Sequence, residues 1–108
     1  MDMLALFFKQ GDDVVVTARY PDIPDGTGMT ATLYIKDDKT TPDNDSSVLK
    51  YDSDVVADPD NIGATLSQFK VPATDTQTTG AWWWKVKVFD PFNNGRTASQ
   101  GPLLIEAV

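Results

Sequence analysis

The chain has 108 residues and a formal charge of −7 at pH 7, from 16 acidic and 9 basic side chains, and it contains neither histidine nor cysteine. That length supports one domain with one modest core. The missing thiols and imidazoles exclude disulfides, Cys- or His-ligated metals and a Ser-His-Asp triad, while the acidic balance argues against a nucleic-acid partner.

All the acidic residues but Glu106 are Asp. Aspartate is a poor helix-interior residue and a good turn residue, because its short side chain bonds nearby backbone. The composition therefore predicts many turns and few helices. In chain order, Met3 to Phe8 is an apolar run too short for a signal-peptide core, and Asp2 stands where basic residues would be expected. The expectation is a chain made and used without export, and no segment approaches a bilayer span. Residues 1–8 read either as an apolar arm, with Met3, Leu4, Leu6, Phe7 and Phe8 available to a partner, or as a first strand.

Asp13 to Tyr20 alternates, with Val14, Val16 and Ala18 opposite Val15, Thr17 and Arg19, and three adjacent valines favour strand over helix. Pro21 to Gly28 is a loop. Met29 to Lys36 is a strand, with Ala31, Leu33 and Ile35 on one side and Thr30, Thr32, Tyr34 and Lys36 on the other. Asp37 to Ser47 is long and polar and is expected to be a mobile loop. Val48 to Tyr51 reads as a short edge strand. Asp52 to Asn61 is acidic, interrupted by Val55-Val56-Ala57.

Ala64 to Val71 reads as a strand with a difficulty. Leu66 and Phe69 are three apart, so both cannot face inward on a regular strand, and a bulge is one solution. Pro72 to Gly80 predicts a turn of 3₁₀ helix or an irregular crossover. Ala81 to Asp90 holds all three tryptophans and then alternates strictly. Trp82, Trp84, Val86 and Val88 share one side; Trp83, Lys85, Lys87 and Phe89 share the other. Asn94-Gly95 suits a turn with positive φ. Thr97 to Ala107 is the last strand, and Pro102 within it predicts an edge position or a bulge.

About seven short strands separated by turn signals describe an all-β, immunoglobulin-like antiparallel sandwich without a disulfide, occupying residues 9–108. Its expected core is Val14, Val16, Leu33, Ile35, Leu66, Trp82, Trp84, Val86 and Val88. The acidic clusters (Asp37 with Asp38, Asp43 with Asp45, and Asp52, Asp54, Asp58 and Asp60) match no EF-hand pattern and read as solvated loops rather than calcium ligands. Paired carboxylates of a glycosidase would need a cleft that loop positions do not supply. Asp25-Gly26-Thr27-Gly28 lacks the full phosphate-loop fingerprint. No enzyme activity, metal or cofactor is expected. Trp83 with Phe89, flanking Lys85 and Lys87, reads as local cross-strand packing or as a contact patch. With Tyr34 the same rings would make a sugar-stacking platform.

The order of residues resembles a known family. Phe8-Lys9-Gln10-Gly11-Asp12 leads into Val14, Val16 and Thr17, and Gly28 precedes Ala31, Leu33, Ile35 and Lys36. Then come Val71-Pro72-Ala73-Thr74-Asp75-Thr76, Gly80, Trp82, Trp84, Val86, Val88 and Asp90, followed by Gly95-Arg96-Thr97 and Gly101. This is similar to the immunoglobulin-like domains of tailed-bacteriophage virion proteins, such as the N-terminal domain of baseplate upper proteins. Trp82 and Trp84 stand where that family usually has tyrosine. The resemblance implies a structural protein assembled in the host cytoplasm into the virion. The leading expectation is a minor capsid or decoration protein on the capsid exterior, binding the major capsid protein or other virion subunits, with a homo-oligomer as one form. The alternatives are a minor tail or baseplate component, or a carbohydrate-binding module for surface glycans. Neither nucleic acid nor membrane is an expected partner.

Overall fold

Period-two alternation sets nearly every element. The computed structural model describes residues 5–108. Among them are eight strands: β1 (Leu6–Lys9), β2 (Val14–Tyr20), β3 (Thr30–Lys36), β4 (Leu49–Asp54), β5 (Val56–Ala57), β6 (Thr65–Val71), β7 (Gly80–Phe89) and β8 (Gly95–Glu106). One turn of 3₁₀ helix, Ala73–Asp75, connects β6 to β7. The strands form two sheets, β1-β8-β7-β3-β4 and β2-β6-β5. They pack as a sandwich in an immunoglobulin-like order. Of residues 1–8, expected as an arm or a first strand, Leu6, Phe7 and Phe8 belong to β1, and residues 1–4 lie outside the described residues.

The sandwich is not wholly antiparallel. β1 runs parallel to β8, pairing Leu6 with Leu103 and Lys9 with Glu106. Parallel neighbours need a long connection, and the whole sandwich supplies it between these two strands. The 3₁₀ turn is locked to the turn after β1. Gly11 takes φ +80° there. Asp13 accepts a hydrogen bond from Ala73 N at 2.7 Å, and the Thr76 hydroxyl donates to Asp12 O at 2.8 Å. The Gly-Asp opening of the motif therefore has a structural job.

The core lies between the sheets. Val16, Ala18, Tyr20, Phe69 and Val71 from the smaller sheet meet Phe8, Leu33, Ile35, Trp84, Val86, Val88, Leu103 and Ile105 from the larger. Val14 and Trp82 are half-buried and pack against this cluster. The β6 difficulty resolves without a bulge. β6 pairs with β2 in unbroken register from Val14↔Val71 to Tyr20↔Thr65. Thr65, Ser67, Phe69 and Val71 face inward, so Leu66 falls on the opposite side. It is buried there, flanked in register by Arg19 and Val56, outside the main cluster. The inward hydroxyls find loop carbonyls: Thr65 donates to Ile23 O at 3.0 Å and Ser67 to Asp54 O at 2.9 Å. Buried hydroxyls satisfied in this way cost little.

The irregularity lies in the larger sheet instead, where the β7–β8 register shifts between Val86↔Ser99 and Lys87↔Thr97 and skips Ala98. Pro102 pairs with Trp83 of β7 on one side, and among the described residues β1 pairs with the other side of β8 from Leu103 onward. Positive φ in the β7–β8 turn falls on Asn93 (+64°), not on Asn94-Gly95. Asp90 shapes that turn by accepting from Phe92 N and Asn94 N, each at 2.9 Å. The left-handed conformation costs an ordinary L-residue about 1–2 kcal/mol. Asn93→Gly should therefore hold or raise the thermal midpoint, and Asn93→Val should lower the midpoint, with a loss of about 1–2 kcal/mol of stability. Equal midpoints would show that the turn relaxes.

Candidate functional site

β7 has neighbours on both sides, so its outward residues sit mid-face on the larger sheet. The registers place side chains in rows across that face. Phe7, Leu104 and Ala81 make one row; Pro102, Trp83 and Lys36 the next; Gln100, Lys85, Tyr34 and Lys50 the third. Phe7 is 65% exposed and Leu104 39%. Pro102 and Ala81 are also exposed, and Trp83 is half-buried beside them. An apolar strip thus runs from the β1 edge to the tryptophan. The Trp83 indole N–H donates to Gln100 Oε1 at 3.2 Å, and the Lys39 ammonium stands 6.0 Å from its ring centre.

The β3–β4 loop, expected to be mobile, folds back over the part of the face that carries Lys36 and Lys85. Asp43 accepts hydrogen bonds from the buried Lys36 ammonium and, at 3.1 and 3.2 Å, from Lys85. Lys87 approaches the same carboxylate at 3.8 Å. Lys36 also donates to Thr41 O at 2.7 Å. Lys36 is buried there, as are Tyr34 and Thr32 on the same face, and the Thr32 hydroxyl donates to Asp52 at 2.7 Å. Burial, then the charges of Asp43 and Asp52, raises the Tyr34 phenol. For Asp43, burial alone would raise the carboxyl, but the lysine hydrogen bonds and charges outweigh it and hold the group below its ordinary value.

Of the expected contact residues, Met3 and Leu4 lie outside the described residues. Phe8 is buried among core residues and Leu6 packs against them, so neither is open to a partner. Inward Leu103 and Ile105 on β8 fix this parity. Phe7 is exposed, and β8 brings it onto the face that carries Trp83, Lys85, Lys87 and Phe89. The last three are half-buried, with the Lys87 ammonium 5.8 Å from the Phe89 ring centre. Sequence reading missed Leu104, Pro102 and Asp43. Period two marked Leu104 as opposite to Leu103 and Ile105, but only the β1–β8 register reveals its neighbour.

The acidic clusters behave as turn caps and ion-pair partners. Among the described residues no group of three or more side chains could hold a metal ion. Asp58 accepts from Asp60 N at 2.9 Å and pairs with Arg19 at 2.8 Å. Those bonds, from the Asp60 backbone first and then from Arg19, lower its pKa. No helix among the described residues is long and apolar enough to cross a membrane.

No family model matches the chain, and no curated protein matches it.

Proposed function

We propose that this chain is a non-enzymatic structural protein of tailed-phage virions, decorating and stabilising the capsid exterior. The observation that carries the contact is the strip of Phe7, Leu104, Pro102 and Ala81 beside Trp83. Apolar side chains gathered on one sheet face suit protein contact, and aromatic residues are favoured anchors. Lys39 and the Lys85 and Lys87 ammonium groups at its margin suit an acidic rim on the major capsid protein. Repeated virion surfaces would give such a module many equivalent positions. A minor tail or baseplate role would use the same face.

The sugar-stacking reading draws less support. Tyr34 is buried, Lys87 lies near the Phe89 ring, and Lys39 lies near the Trp83 ring. The three rings do not form an open platform.

Purified protein should co-sediment with capsids of its phage that lack it, and Phe7→Asp should reduce binding about tenfold or more, as loss of an interface anchor does. Thermal unfolding checks that the variant stays folded. Retention on tails but not capsids would favour the tail role. Undiminished capsid binding by Phe7→Asp would remove this face from the contact.

A further inference from the structure

We propose that Asn94 is a site of spontaneous deamidation and that Asp90 is the positioning residue that slows it. Asparagine is among the chemically labile residues. Of Asn44, Asn61, Asn93 and Asn94, only Asn94 precedes glycine. In this reaction the next residue's backbone nitrogen attacks the asparagine side-chain carbonyl carbon. A side chain on that next residue crowds the approach, and glycine has none. Asn94 and Gly95 are both exposed, so water and solvent base reach them.

The turn leaves the attacking nitrogen outside the β7–β8 ladder. The Asp90 N–H donates to Asn94 O at 3.0 Å, and the Asn93 N–H donates to Asp90 O at 2.9 Å. With Phe89 opposite Gly95 in the register, the first bond makes these two a non-hydrogen-bonded pair. The Gly95 N–H therefore points away from β7. Packing, not backbone conformation, keeps this glycine. Left-handed φ falls on Asn93, whereas a Cβ at Gly95 would lie 2.7 Å from Phe89 Cε1. The fold thus holds an Asn-Gly step at the base of the hairpin for a reason unrelated to the reaction.

The reaction needs no reagent but water. The Gly95 nitrogen loses its proton to solvent base and bonds to Asn94 Cγ. The Cγ–Nδ2 bond breaks, and the nitrogen leaves as ammonia with a proton taken from water. The cyclic imide then adds water at either carbonyl carbon. Opening at Cγ gives aspartate, and opening at the main-chain carbonyl gives isoaspartate. Either product sets a new carboxylate beside Asp90. Ring closure must first swing the Gly95 nitrogen toward Cγ, which pulls Asn94 O off the Asp90 N–H. The Asp90 carboxylate opposes that swing. It accepts from Phe92 N and Asn94 N, each at 2.9 Å, and from Asn94 Nδ2 at 3.3 Å. These bonds are exposed and individually modest, so they slow the reaction rather than stop it.

The test is ageing of the intact folded protein in mildly alkaline buffer, read by peptide mass mapping and isoaspartate content. Conversion at Asn94 is expected, well ahead of Asn44, Asn61 and Asn93. Asn94→Gln should abolish it, because the longer side chain closes its ring far more slowly. Asp90→Ala should speed conversion several-fold. Asp90→Asn should stay close to the natural rate, since its side-chain oxygen can accept the same backbone bonds. Thermal unfolding checks that each variant is folded. The natural chain unfolded in guanidinium supplies the rate without the hold of Asp90, independent of any variant, and it should exceed the folded rate. An Asn94 that stays intact in the folded protein while the unfolded chain converts would overturn the proposal. So would equal conversion at Asn44 or Asn61, a folded rate equal to the unfolded one, or a folded Asp90→Ala variant that ages no faster than the natural protein.

Discussion

Trp84→Ala should remove about 3–5 kcal/mol of stability, the usual cost of truncating a buried tryptophan. Trp84 is 4% exposed and packs in the cluster joining the two sheets. A domain of this size holds roughly 5–15 kcal/mol in all, so the variant should sit near its unfolding limit at room temperature. The neighbouring tryptophans make the test specific. Trp83→Ala should cost only about 1 kcal/mol, since it loses one hydrogen bond to Gln100 and a partly exposed lysine contact. Trp82 is different again. Its indole nitrogen is buried without a partner, and removing an unsatisfied donor offsets lost packing. Trp82→Phe should therefore be nearly neutral. Urea unfolding of the three variants gives the order directly. A larger loss for Trp83→Ala than for Trp84→Ala would mean that β7 presents its other face to the core.

The separation of Trp84 from Trp83 was legible from alternation alone; the half-burial of Trp82 and its unpartnered indole nitrogen were not. Ten residues of β7 are enough for period two to separate two sides, and both sides appear where the pattern put them. The same rule fails on shorter or more polar strands. β1 has four residues, so its pattern accepts either Phe7 or Phe8 inside, and a one-residue slip exchanges them. Only Leu103 and Ile105 on β8, more than ninety positions away by sequence, choose Phe8. In β6 the error came from expecting every large apolar residue to face the core. Ser67 and Thr65 take inward places because Asp54 and Ile23 carbonyls happen to reach them. No local signal announces those partners.

The outer face was half legible for a related reason. Alternation put Trp83, Lys85, Lys87 and Phe89 together, and it put Lys36 on the matching side of β3. What it could not supply was the cover. Asp43 stands in a polar loop like many other aspartates, and only the β3–β7 register, Tyr34 opposite Lys85 and Thr32 opposite Lys87, brings those ammonium groups within reach of one carboxylate. Long-range ion clusters are written in three dimensions rather than in a motif.

Asp43→Ala should cost about 3–5 kcal/mol, because it leaves the Lys36 ammonium buried without its carboxylate. Lys36 is 3% exposed, and Thr41 O alone cannot compensate a charge there. Lys36→Met should cost much less. It removes the buried charge itself, keeps an apolar stem of similar length, and leaves Asp43 paired with Lys85 and Lys87. The unequal response is the signature of a buried pair, since a surface pair gives small and similar losses for either partner. pH adds an independent check. The carboxyl of Asp43 is held below its ordinary 3.8 in the folded protein. Unfolding therefore takes up protons at this group in acid, so its stabilisation is complete above 3.8 and is lost as pH falls through the folded value. The stability gap between the natural protein and Asp43→Asn should be flat at neutral pH and should close in acid. Limited proteolysis within residues 37–48 should rise in step, because the loop loses its hold on the sheet face. A gap that stays constant well below pH 3.8, or equal losses for Asp43→Ala and Lys36→Met, would show that the loop is held over the face by packing rather than by this carboxylate.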